Sequence, residues 1–332
     1  MPEQHGFADG LVDVHAHFTT DHYIAAAKAA GHVEPDGMPE DYWPQWSAAE
    51  HLDLMGRAGI ATALLSISSP GVHFGDDIAA RALARHVNDV GAEVVRAHPD
   101  RFGLFASLPT PDIDGALAET ARAFDELGAA GVVLMSNSRG AYLGDDRLAP
   151  VLAELNRRRA ILFLHPVSTE GHEYVDCGRP RPMLEFLFDT ARTVVDFILS
   201  GAAERYPDLR VIVPHMGGVL PLLADRVELF RGVTSFDAPD PIVFDSLRRL
   251  HYDLAGEPSA EQLAVLRSIS VPDRLLYGSD HAWSRPPVVL SALARLDALA
   301  PRGEDGTWRE LTTHNARALL SLERPTARPA GA

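Results

Sequence analysis

Residues 12–17 read Val-Asp-Val-His-Ala-His, a short apolar run in which His15 and His17 are one residue apart. In an extended strand alternate side chains share a face, so the two imidazoles stand side by side with Asp13, where one cation could bridge them. Imidazole suits zinc and other borderline divalent metals, but two ligands do not complete a site. Other runs offer the rest: residues 161–165 end in His165, residues 211–215 in His215 and residues 275–280 in Asp280. Histidines and a carboxylate around one ion, with room for water or substrate, are the composition of a catalytic zinc site rather than a closed structural one. Each residue alone has a plainer reading. A lone histidine at a strand end is commonly a hydrogen-bonded core or rim residue, Asp280 could cap a helix, and Asp13 could order a neighbouring backbone amide. Their coincidence at corresponding ends of separate runs favours a metal.

Those ends meet only if the runs are strands of one barrel. Eight short apolar or β-branched runs occupy residues 11–17, 61–67, 102–108, 131–136, 161–165, 210–215, 251–255 and 275–280. Helical patterns fill the gaps at 47–58, 77–97, 114–127, 147–157, 183–204, 220–230, 259–269 and 287–299. Alternating strand and helix implies a parallel sheet, and eight strands close a (β/α)8 TIM barrel whose carboxyl-end residues converge on one mouth. Ser47 with Glu50 and Ser259 with Gln262 stand at capping-box spacing, which places two of the helix starts. The expected organisation is one barrel domain over residues 1–323, including a last helix at 308–322, followed by a flexible tail at 324–332. The stretches 20–46 and 167–182, long for barrel loops and rich in Gly, Pro, charged and aromatic residues, should fold over the mouth.

Bulk composition narrows the partners. Among 332 residues, 46 Asp and Glu stand against 30 Lys and Arg, a formal charge of −16, which repels nucleic acid and anionic membrane surfaces. Cys177 is the single cysteine, so no intramolecular disulfide can form; a reducing cytoplasm is the natural setting and Cys177 itself reads as inert. The opening Met-Pro-Glu-Gln-His-Gly carries no signal-peptide pattern, and no apolar run approaches the roughly 20 residues of a membrane helix. A cytoplasmic protein acting on a small molecule is expected.

Four motifs, VDVHAH at the first strand, LFLHP at 162–166, YPDLRVIVPHMGG at 206–218 and LLYGSD at 275–280, resemble in this order the amidohydrolase superfamily. The likeness is to its decarboxylase branch, typified by aminocarboxymuconate semialdehyde, γ-resorcylate and 6-methylsalicylate decarboxylases, and most to the last. The resemblance implies one divalent ion, zinc or alternatively manganese, held by His15, His17, His165 and Asp280, with His215 beside it as a polarising or proton-handling group. A second ion is not expected. The two-metal branch bridges its ions with a carboxylated lysine on strand four, and residues 131–136 contain none.

Substrate contacts follow from the same resemblance. Arg226 lies eleven positions after His215, like an arginine that reaches a neighbouring subunit's active site and binds substrate carboxylate, which implies a homodimer. Its other reading is a solvated helix arginine. The family arginine near the first helix has no counterpart around His51, which argues against aminocarboxymuconate semialdehyde as substrate. Ser69, His73 and Phe74, in a loop resembling the 6-methylsalicylate group, could line the pocket with Phe74 against an aromatic ring, or form a turn in which Asp76 or Asp77 caps a helix. Trp43 and Trp46 either cover the ring or pack ordinarily, and Arg179 and Arg181 either meet a carboxylate or a neighbouring subunit, or sit on a surface loop.

The function expected is non-oxidative decarboxylation of an aromatic 2-hydroxy acid, a carboxy-lyase reaction in which Asp280, or His215 with it, protonates the ring carbon before carbon dioxide leaves. In a variant of that route, metal-bound hydroxide attacks instead, with His215 as base. The alternative enzyme is a hydrolase of a lactone or amide, using the ion to lower the pKa of bound water. A non-catalytic binding barrel is the remaining class, against which the apparently complete ligand set argues.

Overall fold

The computed structural model describes residues 10–234, 242–299, 301 and 306–321. Runs rich in Val, Ile, Leu and Phe form eight strands: β1 (Leu11–His17), β2 (Ile60–Ser66), β3 (Phe102–Ser107), β4 (Gly131–Met135), β5 (Ile161–His165), β6 (Arg210–Val213), β7 (His251–Asp253) and β8 (Leu275–Leu276). Neighbours pair in parallel and in sequence order. The chain beyond β8 returns to β1: Val14 N donates to Tyr277 O at 3.0 Å, Asp280 N donates to His15 O at 2.8 Å, and His17 N donates to His281 O. The sheet therefore closes into the expected (β/α)8 barrel.

Around it lie α1 (Asp21–Ala29), α2 (Ala48–Ala58), α3 (Asp77–Ala97), α4 (Ile113–Asp125), α5 (Ala149–Arg157), α6 (Glu185–Leu199), α7 (Ala202–Arg205), α8 (Leu220–Thr234), α9 (Ile242–Arg249), α10 (Ala260–Leu266), α11 (Pro286–Asp297) and α12 (Trp308–Ser321). Ser259 and Gln262 close a reciprocal capping box, with bonds of 3.2 and 3.1 Å, and Ser47 accepts from Glu50 N. Several elements differ from the pattern. The helix expected over 183–204 is broken into α6 and α7, where Gly201 turns the backbone to φ 76°. The stretch 20–46 holds α1, which Thr20 caps by accepting from Tyr23 N at 3.0 Å. β6 stops before Pro214, which has no N–H for the ladder. β8 is only two residues long, because Tyr277 to His281 bridge to β1 irregularly. The tail expected at 324–332, and the domain boundary at 323, lie outside the described residues.

Two apolar layers hold the barrel. Inside, Val12, Val14, Leu64, Phe105, Val133, Ile161, Phe163, Ile212 and Leu276 pack together with Ala316 and Leu319 of α12. A larger cluster joins the outer strand faces to the helices. Each fully buried side chain of Phe163 size contributes roughly 2–3 kcal/mol by leaving water. α12 closes the amino-terminal end of the barrel: Asn315 Nδ2 donates to Leu275 O at 2.9 Å, and Leu319 O accepts from Arg210 Nη1. At the other end the two long loops tie to each other. Ser168 Oγ donates to Asp36 Oδ1 at 2.7 Å and accepts from Arg181 Nε at 3.0 Å, so both segments fold over the mouth. No described helix is long and apolar enough to cross a membrane.

Candidate metal centre

At the carboxyl ends of β1 and β5 three imidazoles are held from behind. His15 Nδ1 donates to Asp253 Oδ2 at 2.8 Å, His17 Nδ1 to Ser66 Oγ at 3.0 Å, and His165 Nδ1 to Pro166 O at 2.7 Å. The Ser66 hydroxyl donates to Ala16 O, so it accepts from the ring. Each Nδ1 therefore carries the proton and each Nε2 turns a lone pair to the centre, the arrangement in which outer partners orient metal-binding histidines. His15 Nε2 and His17 Nε2 lie 3.4 and 3.2 Å from Asp280 Oδ1. One ligand atom from each of His15, His17, His165 and Asp280 lies within 4.8 Å of the others, so the set could hold a metal ion. Both Nε2 atoms of the β1 pair are buried without a hydrogen bond. Such groups cost free energy, and a divalent cation would satisfy the whole set at once.

Charge agrees with this fit. Burial disfavours a proton on His15, but the Asp253 and Asp280 carboxylates outweigh it and push its pKa up to about 10. The field that would hold a proton on Nε2 would hold a cation there. Burial lowers His17, and burial with the neighbouring His17 and His15 holds His165 well below the usual imidazole range. Asp280 stays ionised: burial opposes its charge, but His15, His17 and His215 draw it well below the usual carboxylate range.

Asp13 does not join them. The β1–β2 register shifts between Asp13 and Ala16, so the two-residue alternation that aligns His15 with His17 does not extend back to it. Its Oδ1 instead accepts from His15 N and Ser279 N, both at 3.0 Å, and burial pushes its pKa up to about 7. This is the amide-ordering role.

The remaining strand ends are shaped by turns. His215 and Asp280 sit at φ 53° and φ 57°, a left-handed region that non-glycine residues seldom occupy. Asp280 N is held by His15 O, and His215 N donates to Asp253 Oδ1 at 2.9 Å. Gly278 must lack a side chain, because a Cβ there would stand 2.7 Å from His15 Cβ. The result divides the Asp280 carboxylate: Oδ1 faces the ligand histidines, and Oδ2 lies 3.7 Å from His215 Nε2. Asp253 was absent from the sequence-derived set, although it ends β7 just as His165 ends β5.

Above the cluster is a cleft of about 260 Å³, lined in part by Ser69, His165, Phe186, His215, Asp280 and Trp283. Ser69 Oγ is buried there without a hydrogen bond. The structure does not bring His73 and Phe74 into this cleft. They line an adjoining cavity of about 280 Å³ with Arg181, where His73 pairs with Asp77 at 2.8 Å and Phe74 packs on His32. Asp76, not Asp77, caps α3 by accepting from Ala79 N. Trp43 and Trp46 pack ordinarily, donating to Val33 O and His51 Nδ1, although Trp43 also backs Trp283 of the cleft at 5.5 Å. Arg179 and Cys177 are exposed. Arg226 is exposed on α8, stacked on Phe230 at 4.6 Å, and lines no part of its own cleft.

A closed (β/α)8 barrel with three inward imidazoles and one aspartate at its carboxyl-end mouth defines a barrel of the metal-dependent hydrolase type. More narrowly, the chain belongs to the amidohydrolase family, whose model matches residues 12–322. Decarboxylase yanB of Aspergillus niger is 34% identical over 310 residues, covering 89% of this chain and 83% of that protein. The 6-methylsalicylic acid decarboxylase acuB of Aspergillus aculeatus is 32% identical, over 93% of this chain and 95% of its own. Among solved structures, 2,6-dihydroxybenzoate decarboxylase complexed with 2,6-dihydroxybenzoate superimposes with a TM-score of 0.82 at 26% identity, covering 95% and 100% of the two chains.

Proposed function

We propose that the protein is a metal-dependent, non-oxidative decarboxylase of an aromatic 2-hydroxy carboxylic acid of the 6-methylsalicylate kind. The observation that carries this is the divided carboxylate of Asp280, with one oxygen toward His15 and His17 in the candidate ligand set and the other toward His215 at the floor of the cleft. His15, His17, His165 and Asp280 would hold one zinc or manganese ion. When bound, that ion supplies a fixed positive charge that orients the substrate's carboxylate and ortho oxygen and draws off phenolate charge. Phe186 and Trp283 offer apolar walls for a ring, and the Ser69 hydroxyl offers a hydrogen bond to a polar substituent. Asp280, or His215 acting with it across 3.7 Å, delivers a proton to the ring carbon bearing the carboxylate. Carbon dioxide then leaves with the ring recovering its aromatic electrons. His73 and Phe74 belong to the adjoining cavity, beyond the reacting centre.

Arg226 acts from a neighbouring subunit in a homodimer. This reading is supported by the fact that Arg226 does not line its own cleft and by the exposed Leu222, Leu229, Phe230 and Val233 on the same helix. The single exposed cysteine suits a cytoplasmic setting.

Incubating the metal-loaded protein with 6-methylsalicylate, 2,6-dihydroxybenzoate and salicylate, while following carbon dioxide and the phenol, tests the activity. Turnover of at least one supports it; no turnover across the panel, with one ion bound per chain, sinks it.

A further inference from the structure

The amino-terminal end of the barrel, opposite the metal cluster, holds a cavity of about 620 Å³, within the range of small-molecule sites. It runs along the beginnings of β5 to β8, where Arg159 precedes β5, Arg210 opens β6, His251 opens β7 and Arg274 precedes β8. Arg249 of α9 joins them, so four guanidinium groups line the cavity against two carboxylates, Asp208 of the lining, 3.9 Å from Arg159, and Glu204 behind it, 3.1 Å from Arg249. In a chain of net charge −16 this local surplus of positive charge runs against the composition. Its apolar lining is formed by buried Phe197, Ala203, Leu209 and Leu250.

Three of the four arginines are anchored, while Arg159 is exposed at the rim, 3.9 Å from Asp208. Arg210 donates through Nε and Nη2 to Arg159 O and through Nη1 to Leu319 O. Arg249 Nη2 is shared between Glu204 at 3.1 Å and Ser246 at 3.2 Å. Arg274 Nη1 lies 2.8 Å from His251 Nε2. Guanidinium only donates, so His251 accepts at Nε2 and carries its proton at Nδ1. That Nδ1 is buried and makes no hydrogen bond of ordinary geometry among the described residues. Fixed cationic forks beside a neutral imidazole, over an apolar floor, match an anionic head on an apolar body.

We propose that this cavity is a second ligand site, for a small organic anion bearing a carboxylate or phosphate head on an apolar body, distinct from the metal cleft at the other end of the barrel. The head meets Arg159, Arg249 and Arg274, and the body lies on Phe197 and Leu250. The site stands whether or not the decarboxylase reading does.

The test is calorimetric titration of the metal-loaded protein with phenyl phosphate and, separately, benzoate. The same titrations are run on Arg249→Gln and Arg159→Gln, whose exposed side chains can be changed without disturbing the core, and on Arg274→Met. His165→Ala is included to disable the metal cleft. One site per chain should persist in His165→Ala, weaken by roughly tenfold or more in the arginine variants, and lose affinity as salt rises. Phosphate-only or carboxylate-only binding at that site identifies the head group. Binding that disappears in His165→Ala but survives in all arginine variants assigns the ligand to the cleft and overturns the proposal. So does the absence of saturable binding of either probe up to about 10 mM.

Discussion

Asp253 Oδ2 lies 2.8 Å from His15 Nδ1, and both side chains are fully buried. The other oxygen of the same carboxylate accepts from the backbone of His215. One aspartate thus orients His15, a candidate metal ligand on strand one, and the turn after strand six that carries His215. Burial opposes its charge, yet His15 keeps it below the usual carboxylate range.

Asp253→Asn keeps the volume but leaves one oxygen where two are needed, so either His15 Nδ1 or His215 N meets an amide NH2. Metal affinity should fall by roughly 10- to 100-fold, read by competition with a chromophoric chelator. An unchanged affinity together with unchanged turnover would show that Asp253 does not position the centre.

His215 and His165 should separate cleanly. His215→Asn is expected to retain one ion per chain and lose about 10²- to 10⁴-fold in kcat, because the proton-handling ring is gone while the ligand set is intact. His165→Ala should lose the ion itself, measured by metal analysis after dialysis. The opposite pattern would mean that ligand and proton carrier have been exchanged.

Removing the Arg226 guanidinium should weaken substrate use without touching the ion. A charge-assisted contact to a substrate carboxylate corresponds to roughly a 10- to 100-fold loss of kcat/KM in Arg226→Ala. Mixing Arg226→Ala with His215→Asn subunits should restore part of the activity if the arginine crosses between subunits. Wild-type kinetics in Arg226→Ala would leave it a plain helix arginine.

Acid should destabilise the fold through two histidines kept neutral. Burial and the neighbouring Arg274 lower His251 from 6.5 to about 3; burial and the neighbouring His281 lower His51 to about 3. The unfolded chain binds these protons first. Each group's contribution is therefore complete above pH 6.5 and is lost as pH falls from 6.5 toward 3, at about 1.4 kcal/mol per pH unit. Between pH 7 and pH 5, wild type should lose about 2 kcal/mol more unfolding free energy than His251→Gln, as read by urea titration. Equal losses would show that His251 is not held neutral.

Local pattern placed the barrel and pointed to its strand-end histidines and Asp280, because strand and helix periodicities are short-range and barrel topology sends every carboxyl strand end to one mouth; the division into four candidate ligands with His215 beside them came from the resemblance of the four motifs. His15, His17, His165, His215 and Asp280 were legible for that reason. Ser69 and the ordinary packing of Trp46 were legible as options, chosen between only by what lies around them. What the tertiary structure decided depends on contacts between residues far apart in the chain. Asp253 lies 238 positions from His15 and becomes its partner only when strand seven closes near strand one. An extra residue in β1 withdrew Asp13 from the ligand face, and only the strand pairing shows it. Loop folding sent His73 and Phe74 into the neighbouring cavity while leaving Ser69 in the cleft. The four arginines at the barrel's other end carry no motif, since a cavity built from the starts of separate strands has no signature in any one of them.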